Sequence, residues 1–191
     1  RKIDAELLAP VGDKQALRAA VINGANAVYL ALDKFGARAK AENFTLETLK
    51  DAVAYVHTHG VKVYIAVNTL LHDAEIAEAL ARIRTAWEYG ADAFIVQDVG
   101  LIYEIRRTMP NVVLHASTQM GIHNVEGAVF AQQLGIKRVV LSRETPISDI
   151  RAIKEKTGLE IEYFVHGALC VAFSGNCLIS SMVSGLSGNR G

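Results

Sequence analysis

Apolar residues in this chain occur in short blocks, and most blocks follow an amphipathic segment that ends at a glycine. The glycines are Gly24, Gly60, Gly90, Gly135 and Gly158, and the blocks after them include VKVYIAV, DAFIVQ and EIEYFV. Glycine accepts the left-handed conformation that closes many helices, so the chain turns from helix to strand at each one. The pattern predicts seven strands, near residues 6–9, 26–32, 61–67, 92–97, 112–117, 138–142 and 160–165.

The predicted strands are nearly continuous in Val, Ile, Leu, Tyr and Phe instead of alternating with polar residues. Such strands are typical of a parallel sheet that is covered on both faces. Strands that alternate with helices, without a glycine-rich nucleotide loop after the first, favour a TIM-type (β/α) barrel over a doubly wound sheet. We expect an α/β protein with a single barrel domain over residues 1–191, the N-terminal part of a longer protein, whose eighth unit is missing or irregular.

Two of the amphipathic segments begin at residues that often cap helices. Thr45 has Thr48 three positions later, in the place of the ideal Glu of a capping box. Asp73 precedes Ala74-Glu75-Ile76 and is predicted to cap the next helix.

The composition limits the classes of function. The chain has 191 residues, 51% of them hydrophobic, and its 20 basic residues balance 20 acidic ones. Proteins that bind nucleic acid through phosphates usually have a basic excess, so this balance counts against a large RNA or DNA surface on these residues. No apolar run reaches the roughly 18 residues of a membrane helix, and the N-terminus has no signal-peptide pattern. With two cysteines, a disulfide framework is not expected and a reducing cytoplasm is predicted.

Functional side chains of a (β/α) barrel lie where strands end and the following loops begin. Polar residues are frequent at these predicted positions, and several would converge on one axis. The candidates for substrate binding are Asn68, Asp98, Gln119, Arg143, Glu144 and Ser174, with Arg143 as a clamp for carboxylate or phosphate. The candidates for proton transfer are His115 and His166. The opposite ends of the strands carry charges that are expected to be solvated, namely Lys62, Lys137 and Glu160.

The segment FVHGALCVAFSGNC, residues 164–177, ends the last predicted strand in a loop with two thiols and an imidazole. Cys170 and Cys177 are too far apart for a redox C-x-x-C pair. A buried cysteine is usually a small hydrophobe, but thiolates at the barrel rim could also point inward as metal ligands. Structural zinc sites and iron–sulfur clusters commonly need four ligands, and this chain supplies two cysteines. Adding His166 and His115 gives no recognised zinc spacing.

The stretch FVHGALCVAFSGNCLISSMVSGLSGNRG, residues 164–191, closely resembles the signature of the collagenase-like peptidase family, peptidase family U32. Five further segments fit the same family, namely ELLAPVGD, NAVYLAL, NTLLHD, HASTQMGIHN and VVLSRE. The resemblance therefore spans nearly the whole chain. In the family a third cysteine follows NRG almost immediately and a fourth comes later, so we interpret the chain as a truncated member.

The resemblance implies two kinds of activity. The family is labelled as peptidases of unknown catalytic type, with collagen named as a substrate. Other relatives resemble oxygen-independent hydroxylation enzymes that act on a tRNA wobble uridine, an rRNA cytidine or a ubiquinone precursor ring. In these relatives four cysteines hold a [4Fe–4S] cluster, and the RNA-modifying ones use prephenate as the source of the hydroxyl group. Carried over to this chain, Cys170 and Cys177 match the first two cluster ligands.

We expect an iron–sulfur-dependent hydroxylase of tRNA or rRNA, because a cluster explains two cysteines beside His166 at the rim. A peptidase is one alternative, and it would need a Cys170–His166 or Ser174–His166 pair; the chain has no H-E-x-x-H or G-x-S-x-G motif. Hydroxylation of a small aromatic ring, a ubiquinone precursor, is another. A Schiff-base aldolase would want a lysine at a strand end, and none of the seven predicted ends has one. A partner-subunit role in a homo- or hetero-oligomer stays open.

Overall fold

The computed structural model describes residues 5–37, 42–167 and 172–184. The strands in these residues are β1 (Leu8–Pro10), β2 (Ala27–Ala31), β3 (Lys62–Val67), β4 (Ala93–Val96), β5 (Leu114–Ala116), β6 (Arg138–Val140) and β7 (Glu160–Glu162). The α-helices are α1 (Lys14–Ile22), α2 (Leu46–Thr58), α3 (Asp73–Glu88), α4 (Val99–Thr108), α5 (Val125–Gln133), α6 (Ile147–Thr157) and α7 (Ile179–Ser184). A short 3₁₀ helix, Thr118–Met120, follows β5. No helix of the described residues is long and apolar enough to cross a membrane.

The strands form one sheet in which β1 to β7 are neighbours in chain order, and every adjacent pair is parallel. Each connection from β1 to β7 carries a helix, which is the arrangement of a TIM-type (β/α) barrel. The prediction of seven parallel strands in an α/β barrel is therefore confirmed. Beyond β7 the described residues continue as a loop and α7, without an eighth strand.

The apolar blocks of the sequence are buried on both faces of the sheet. Ile65 and Phe94 face the helices and belong to the larger core cluster, which fills the space between the sheet and the helical layer. A second, smaller cluster lies inside the barrel and consists of Ala27, Tyr64, Ala93, Ile95 and Val140. Full burial of a side chain such as Phe94 contributes about 2–3 kcal/mol to stability. Burial on both faces explains why the strands show no polar alternation.

Two helix starts show how local sequence positions the elements. Thr45 forms the predicted capping box, because its hydroxyl accepts the Thr48 backbone N–H at 3.3 Å and the Thr48 hydroxyl accepts the Thr45 N–H at 3.0 Å. The cap prediction for Asp73 is corrected: α3 begins at Asp73, and His72 is the capping position. The Glu75 carboxylate accepts the His72 backbone N–H at 2.8 Å. The start of α3 is therefore stabilised by Glu75 in its first turn and not by a cap at Asp73.

Candidate functional site

Asn68 joins two loops at the carboxyl end of the barrel. It directly follows β3 and is half-buried. Its side-chain Oδ1 accepts the backbone N–H of Ala37 at 3.1 Å, and its Nδ2 donates to the Ser117 hydroxyl at 3.4 Å. One amide therefore connects the loop after β2 to the end of β5. The structure places Asn68 at the rim, as the sequence predicts, and its substrate-binding role stays a prediction.

Gln97 and Gln119 lie next to each other on the same rim. The Gln97 Nε2 donates to the backbone carbonyl of Gln119 at 3.3 Å, and the Gln119 N–H donates to the Ser117 hydroxyl at 3.2 Å. The Gln97 Oε1 is buried and has no hydrogen-bond partner among the described residues. A buried acceptor without a donor is costly, so this oxygen is a ready partner for a ligand N–H or O–H group.

Asp98 has a structural role at this rim. One carboxylate oxygen accepts the Leu101 N–H at 2.8 Å and caps α4, and the other accepts the Leu71 N–H at 3.1 Å. Both oxygens therefore bind backbone groups of this chain. The predicted substrate-binding role of Asp98 stays a prediction, and its geometry is that of a helix cap that also fixes the loop after β3.

Arg143, Glu144 and Ser174 are brought together by the loops that follow β6 and β7. The Glu144 Oε1 accepts both the Ser174 backbone N–H, at 3.1 Å, and the Ser174 hydroxyl, at 3.0 Å. The Arg143 Nε donates to the Ser174 hydroxyl at 3.4 Å. Desolvation acts to raise the pKa of Glu144, but hydrogen bonds from its own backbone and from Ser174 outweigh it and hold the pKa below its ordinary value. The carboxylate is therefore ionised near neutral pH.

Residues 172–177, the described end of the cysteine segment, lie at the same rim. Cys177 is a free, half-buried thiol three residues beyond Ser174. Cys170, the other predicted metal ligand, lies outside the described residues. His166 lies in the bend after β7 and is exposed, and its predicted catalytic role is not tested by its geometry.

His115 lies deeper than the sequence predicts. His115 is the middle residue of β5, and its neighbours in the sheet are Ile95 and Arg138, the first residue of β6. Its ring packs edge-on against Tyr64 at 4.8 Å and is only 2% exposed. Burial, helped by the positive charge of Arg138, lowers the pKa of His115 to about 3, so the ring is neutral. The expectation that His115 reaches the rim is corrected, and its catalytic role stays a prediction.

The charges at the amino ends of the strands form an ion network instead of a solvated set. Arg138 donates to Glu6 at 2.7 Å and to Glu160 at 2.7 and 3.0 Å, and lies 3.7 Å from Glu162. The Tyr64 hydroxyl donates to Glu6 at 2.7 Å. The expectation of solvated charge therefore holds better for the largely exposed Lys62 and Lys137 than for Glu160.

Burial and hydrogen bonds give two carboxyl groups of this network opposite pKa shifts. Burial raises the pKa of Glu162 to about 7, although the nearby Arg138 acts in the opposite direction. Partial burial also acts to raise the pKa of Glu6, but hydrogen bonds from Arg138, Lys62 and Tyr64 outweigh it and lower the pKa to about 2. The network thus contains one firmly ionised carboxylate and one carboxyl that titrates near neutrality.

Sequence reasoning missed several buried polar groups near the rim. The hydroxyls of Ser142 and Thr145 are buried and have no hydrogen-bond partner among the described residues. The Tyr163 hydroxyl donates to the backbone carbonyl of Arg143 at 2.7 Å and fixes the loop after β6. The polar run SRET, residues 142–145, was visible in the sequence. Only the structure shows that Ser142 and Thr145 are buried while Glu144 is exposed.

The described residues supply part of a metal site at most. They contain no group of three or more His, Cys, Asp and Glu side chains arranged to hold a metal ion. Cys177 fits one corner of an iron–sulfur site, since its free thiol lies in a segment held at the rim. A [4Fe–4S] cluster needs four thiolates, so further ligands would have to come from residues beyond those described.

Comparison with known proteins identifies relatives over nearly the whole chain. The model of peptidase family U32 matches residues 12–191. The chain is 44% identical over 186 residues to the 23S rRNA 5-hydroxycytidine C2501 synthase of Escherichia coli, covering 97% of this chain and 28% of that protein. It is 38% identical over 186 residues to the tRNA hydroxylation protein P1 of Bacillus subtilis, covering 97% of this chain and 44% of that protein.

Other matches carry a protease name or show the fold alone. The collagenase of Porphyromonas gingivalis is 36% identical over 200 residues, covering 98% of this chain and 48% of that protein. The solved structure of a U32 peptidase superposes with a TM-score of 0.68 at 14% identity, covering 83% of this chain and 68% of that one. The chain thus spans between about a quarter and about half of the length of these curated relatives.

Proposed function

Because the chain belongs to peptidase family U32, we propose that it is the barrel part of an enzyme that hydroxylates a nucleotide base of tRNA or rRNA. The observation that carries this proposal is the 44% identity, over 97% of the chain, to a protein named for hydroxycytidine synthesis in 23S rRNA. A relative named for tRNA hydroxylation, 38% identical, supports the same class of chemistry. An RNA substrate of this kind would place the protein in the cytoplasm.

The rim side chains suit the recognition of a base that has left its stack. Proteins that read single-stranded RNA bind the edges of splayed-out bases through amide groups and the phosphates through arginine. Asn68, Gln97 and Gln119 bring three side-chain amides to one end of the barrel, and the Gln97 Oε1 has no partner among the described residues. Arg143 would pair with a phosphate of the RNA or with a carboxylate of a second substrate.

We further propose that Cys170 and Cys177 are two of four thiolate ligands of a [4Fe–4S] cluster. When bound, the cluster would supply electron transfer for the exchange of a ring C–H bond for C–OH. Prephenate is the proposed source of the hydroxyl group, and its carboxylates are ligands that a guanidinium binds in pairs. The chain's own contribution is to hold the thiol of Cys177 beside the rim that binds the base.

The test uses the longest natural protein that contains this chain, purified without oxygen. We expect about four irons and matching sulfide per chain, and loss of both on Cys177→Ala. In cells that lack the protein, a hydroxylated pyrimidine should disappear from digested tRNA or rRNA, as measured by nucleoside mass spectrometry. It should return with the wild-type protein and not with the Cys177→Ala variant. An RNA nucleoside profile that is the same with and without the protein would refute the proposal.

A peptidase is the second candidate, because a relative with 36% identity is named collagenase. A Ser174–His166 pair would have to bring the serine hydroxyl to the imidazole. In the structure the Ser174 hydroxyl instead donates to Glu144 and accepts from Arg143, while His166 is exposed. The purified protein should therefore leave gelatin and casein intact. Cleavage that is lost on Ser174→Ala would favour the peptidase and contradict this geometry.

A further inference from the structure

Three consecutive residues hold the described end of the cysteine segment, residues 172–177, on the barrel, and we call Phe173, Ser174 and Gly175 the anchor. Ser174 is 4% exposed, whereas most described residues from 172 to 183 are exposed. The backbone N–H of Asn176 donates to the carbonyl of Phe173 at 3.0 Å, so residues 173–176 form a tight turn. Cys177 comes immediately after this turn, so the anchor decides where its thiol lies.

Ser174 fixes the anchor to the loop after β6. A single carboxylate oxygen of Glu144 accepts both the backbone N–H and the hydroxyl of Ser174, at 3.1 and 3.0 Å. The hydroxyl in turn accepts from the Arg143 Nε at 3.4 Å. Hydrogen bonds to an ionised carboxylate are stronger than neutral ones. Glu144 is largely exposed and is not part of the core. Its contact with Ser174 therefore serves to fix residues 172–177 to the barrel.

Gly175 and Phe173 fix the anchor to the end of β5. Gly175 has a φ of +85°, and a Cβ added there would lie 3.0 Å from the Thr118 carbonyl oxygen and 3.1 Å from the Gln119 Cα. The glycine thus allows the segment to pack directly on the backbone of the 3₁₀ helix. The Phe173 ring packs edge-on against His123 at 5.5 Å. The anchor therefore bridges the loops that follow β5 and β6.

We propose that Glu144 and Ser174 are positioning residues that hold the thiol of Cys177 against the rim between β5 and β6. They act through the backbone of the anchor and not by contact with a reacting group. The functional meaning of this placement rests on the proposed function, in which Cys177 is a ligand beside the bound base. The placement itself is a property of the metal-free chain.

Thiol alkylation measures the placement directly. Residues 1–191 are treated with N-ethylmaleimide under native conditions, and mass spectrometry of peptides separates Cys177 from Cys170. Glu144→Ala and Ser174→Ala should each make Cys177 react roughly tenfold faster, because losing hydrogen bonds of ordinary net strength shifts an opening equilibrium by about that factor. Glu144→Gln keeps an oxygen acceptor for Ser174 but loses the charge, so it should accelerate alkylation less than Glu144→Ala does. Glu155→Ala, at an exposed position of α6, is the matched control.

The variants separate positioning from general loosening of the fold. The proposal holds if Glu144→Ala and Ser174→Ala accelerate alkylation, Glu144→Gln does so less and Glu155→Ala does not, with unfolding midpoints that match the wild type. Equal rates in wild type and Glu144→Ala, or equal acceleration by Glu155→Ala, would overturn it. Alkylation needs neither cluster nor RNA. Failure of the positioning proposal therefore leaves RNA hydroxylation standing, and a failed hydroxylation test leaves the anchor standing.

Discussion

Arg138 is the centre of the ion network inside the barrel, and its replacement by methionine removes the charge while keeping an unbranched side chain. The arginine side chain is 11% exposed and lies over the Tyr64 ring at 5.2 Å. It donates to Glu6 at 2.7 Å and to Glu160 at 2.7 Å, and Glu162 is 3.7 Å away. Arg138→Met therefore leaves three carboxyl groups without their shared cation.

The cost follows from how far these carboxyl groups are from water. Removing one partner of a buried ion pair costs about 3–5 kcal/mol, whereas an exposed pair contributes about 0–1 kcal/mol. The side chains of Glu6 and Glu162 are 21% and 16% exposed, but that of Glu160 is 42% exposed and counts as a surface partner. We expect Arg138→Met to lower the free energy of unfolding by about 3 kcal/mol at pH 8.

The loss should shrink as the pH falls. The folded pKa of Glu6 is about 2, below the ordinary 4.5, so its contribution to stability is present above 4.5 and disappears as the pH falls towards 2. Without Arg138 the pKa of Glu6 moves back up, and that of Glu162, already about 7, rises further. Glu162 is then neutral at pH 5 and Glu6 is closer to protonation, so the expected loss is smaller at pH 5 than at pH 8.

Urea unfolding followed by circular dichroism, at pH 5 and pH 8, measures both quantities. Arg107→Met is the matched control, because Arg107 pairs with Glu104 on the surface of α4 and is 60% exposed. The control should leave the free energy of unfolding nearly unchanged at either pH, because the pair is exposed to solvent. A loss at Arg138 no larger than that of the control would refute the network as a source of stability. An equal loss at pH 5 and pH 8 would refute the assigned charges.

Three further substitutions test other parts of the structure. Glu162→Gln should raise the free energy of unfolding at pH 8 by about 1–3 kcal/mol and change it little at pH 4, measured by urea unfolding, because the folded pKa of about 7 makes ionisation above that pH costly. Asp98→Ala should lower the free energy of unfolding by about 1–2 kcal/mol, because the α4 cap and the hydrogen bond from the Leu71 N–H are lost. Asp98→Asn keeps an oxygen acceptor and should lower the free energy of unfolding by less. Gly175→Ala should speed alkylation of Cys177, since φ +85° disfavours alanine and its Cβ would press on a backbone oxygen.

The sequence was sufficient for the architecture because the signals for the elements are local. Each of the seven predicted strands overlaps an observed one, and β3, predicted at 61–67, runs over Lys62–Val67. The glycine after five of the helices indicated the turn, and Gly158 indeed closes α6 with a φ of 68°. Strand ends were less predictable. The sequence placed His115 at the rim because the polar run Ser117-Thr118-Gln119 follows it closely, but its pairing with Arg138, the first residue of β6, puts it inside the barrel.

The side-chain contacts could not be predicted in the same way, because they join residues that are distant in the sequence. Glu6 and Arg138 are 132 positions apart, and they meet only because the sheet curls. Ser174 was predicted to bind substrate, yet its hydroxyl and backbone N–H bind Glu144, 30 positions earlier. Composition and spacing predict which type of residue lies at a strand end. They do not predict its hydrogen-bond partner, because that depends on how two distant segments are placed relative to each other.

The two ends of the barrel carry separate sets of side-chain contacts. At the amino end, the network joins Glu6, two residues before β1, to Tyr64 of β3 and Arg138 of β6, so one set of contacts holds distant strands of the curled sheet together. At the carboxyl end, the anchor joins two loops around a free thiol and adds little to the core. The two sets share no contact among the described residues, and distant sites usually contribute independently. The double variant Arg138→Met/Glu144→Ala should therefore lose as much free energy of unfolding as Arg138→Met alone, and its Cys177 should be alkylated as fast as in Glu144→Ala alone. Alkylation of Cys177 much faster than in Glu144→Ala would show that the network at one end also controls the position of Cys177 at the other.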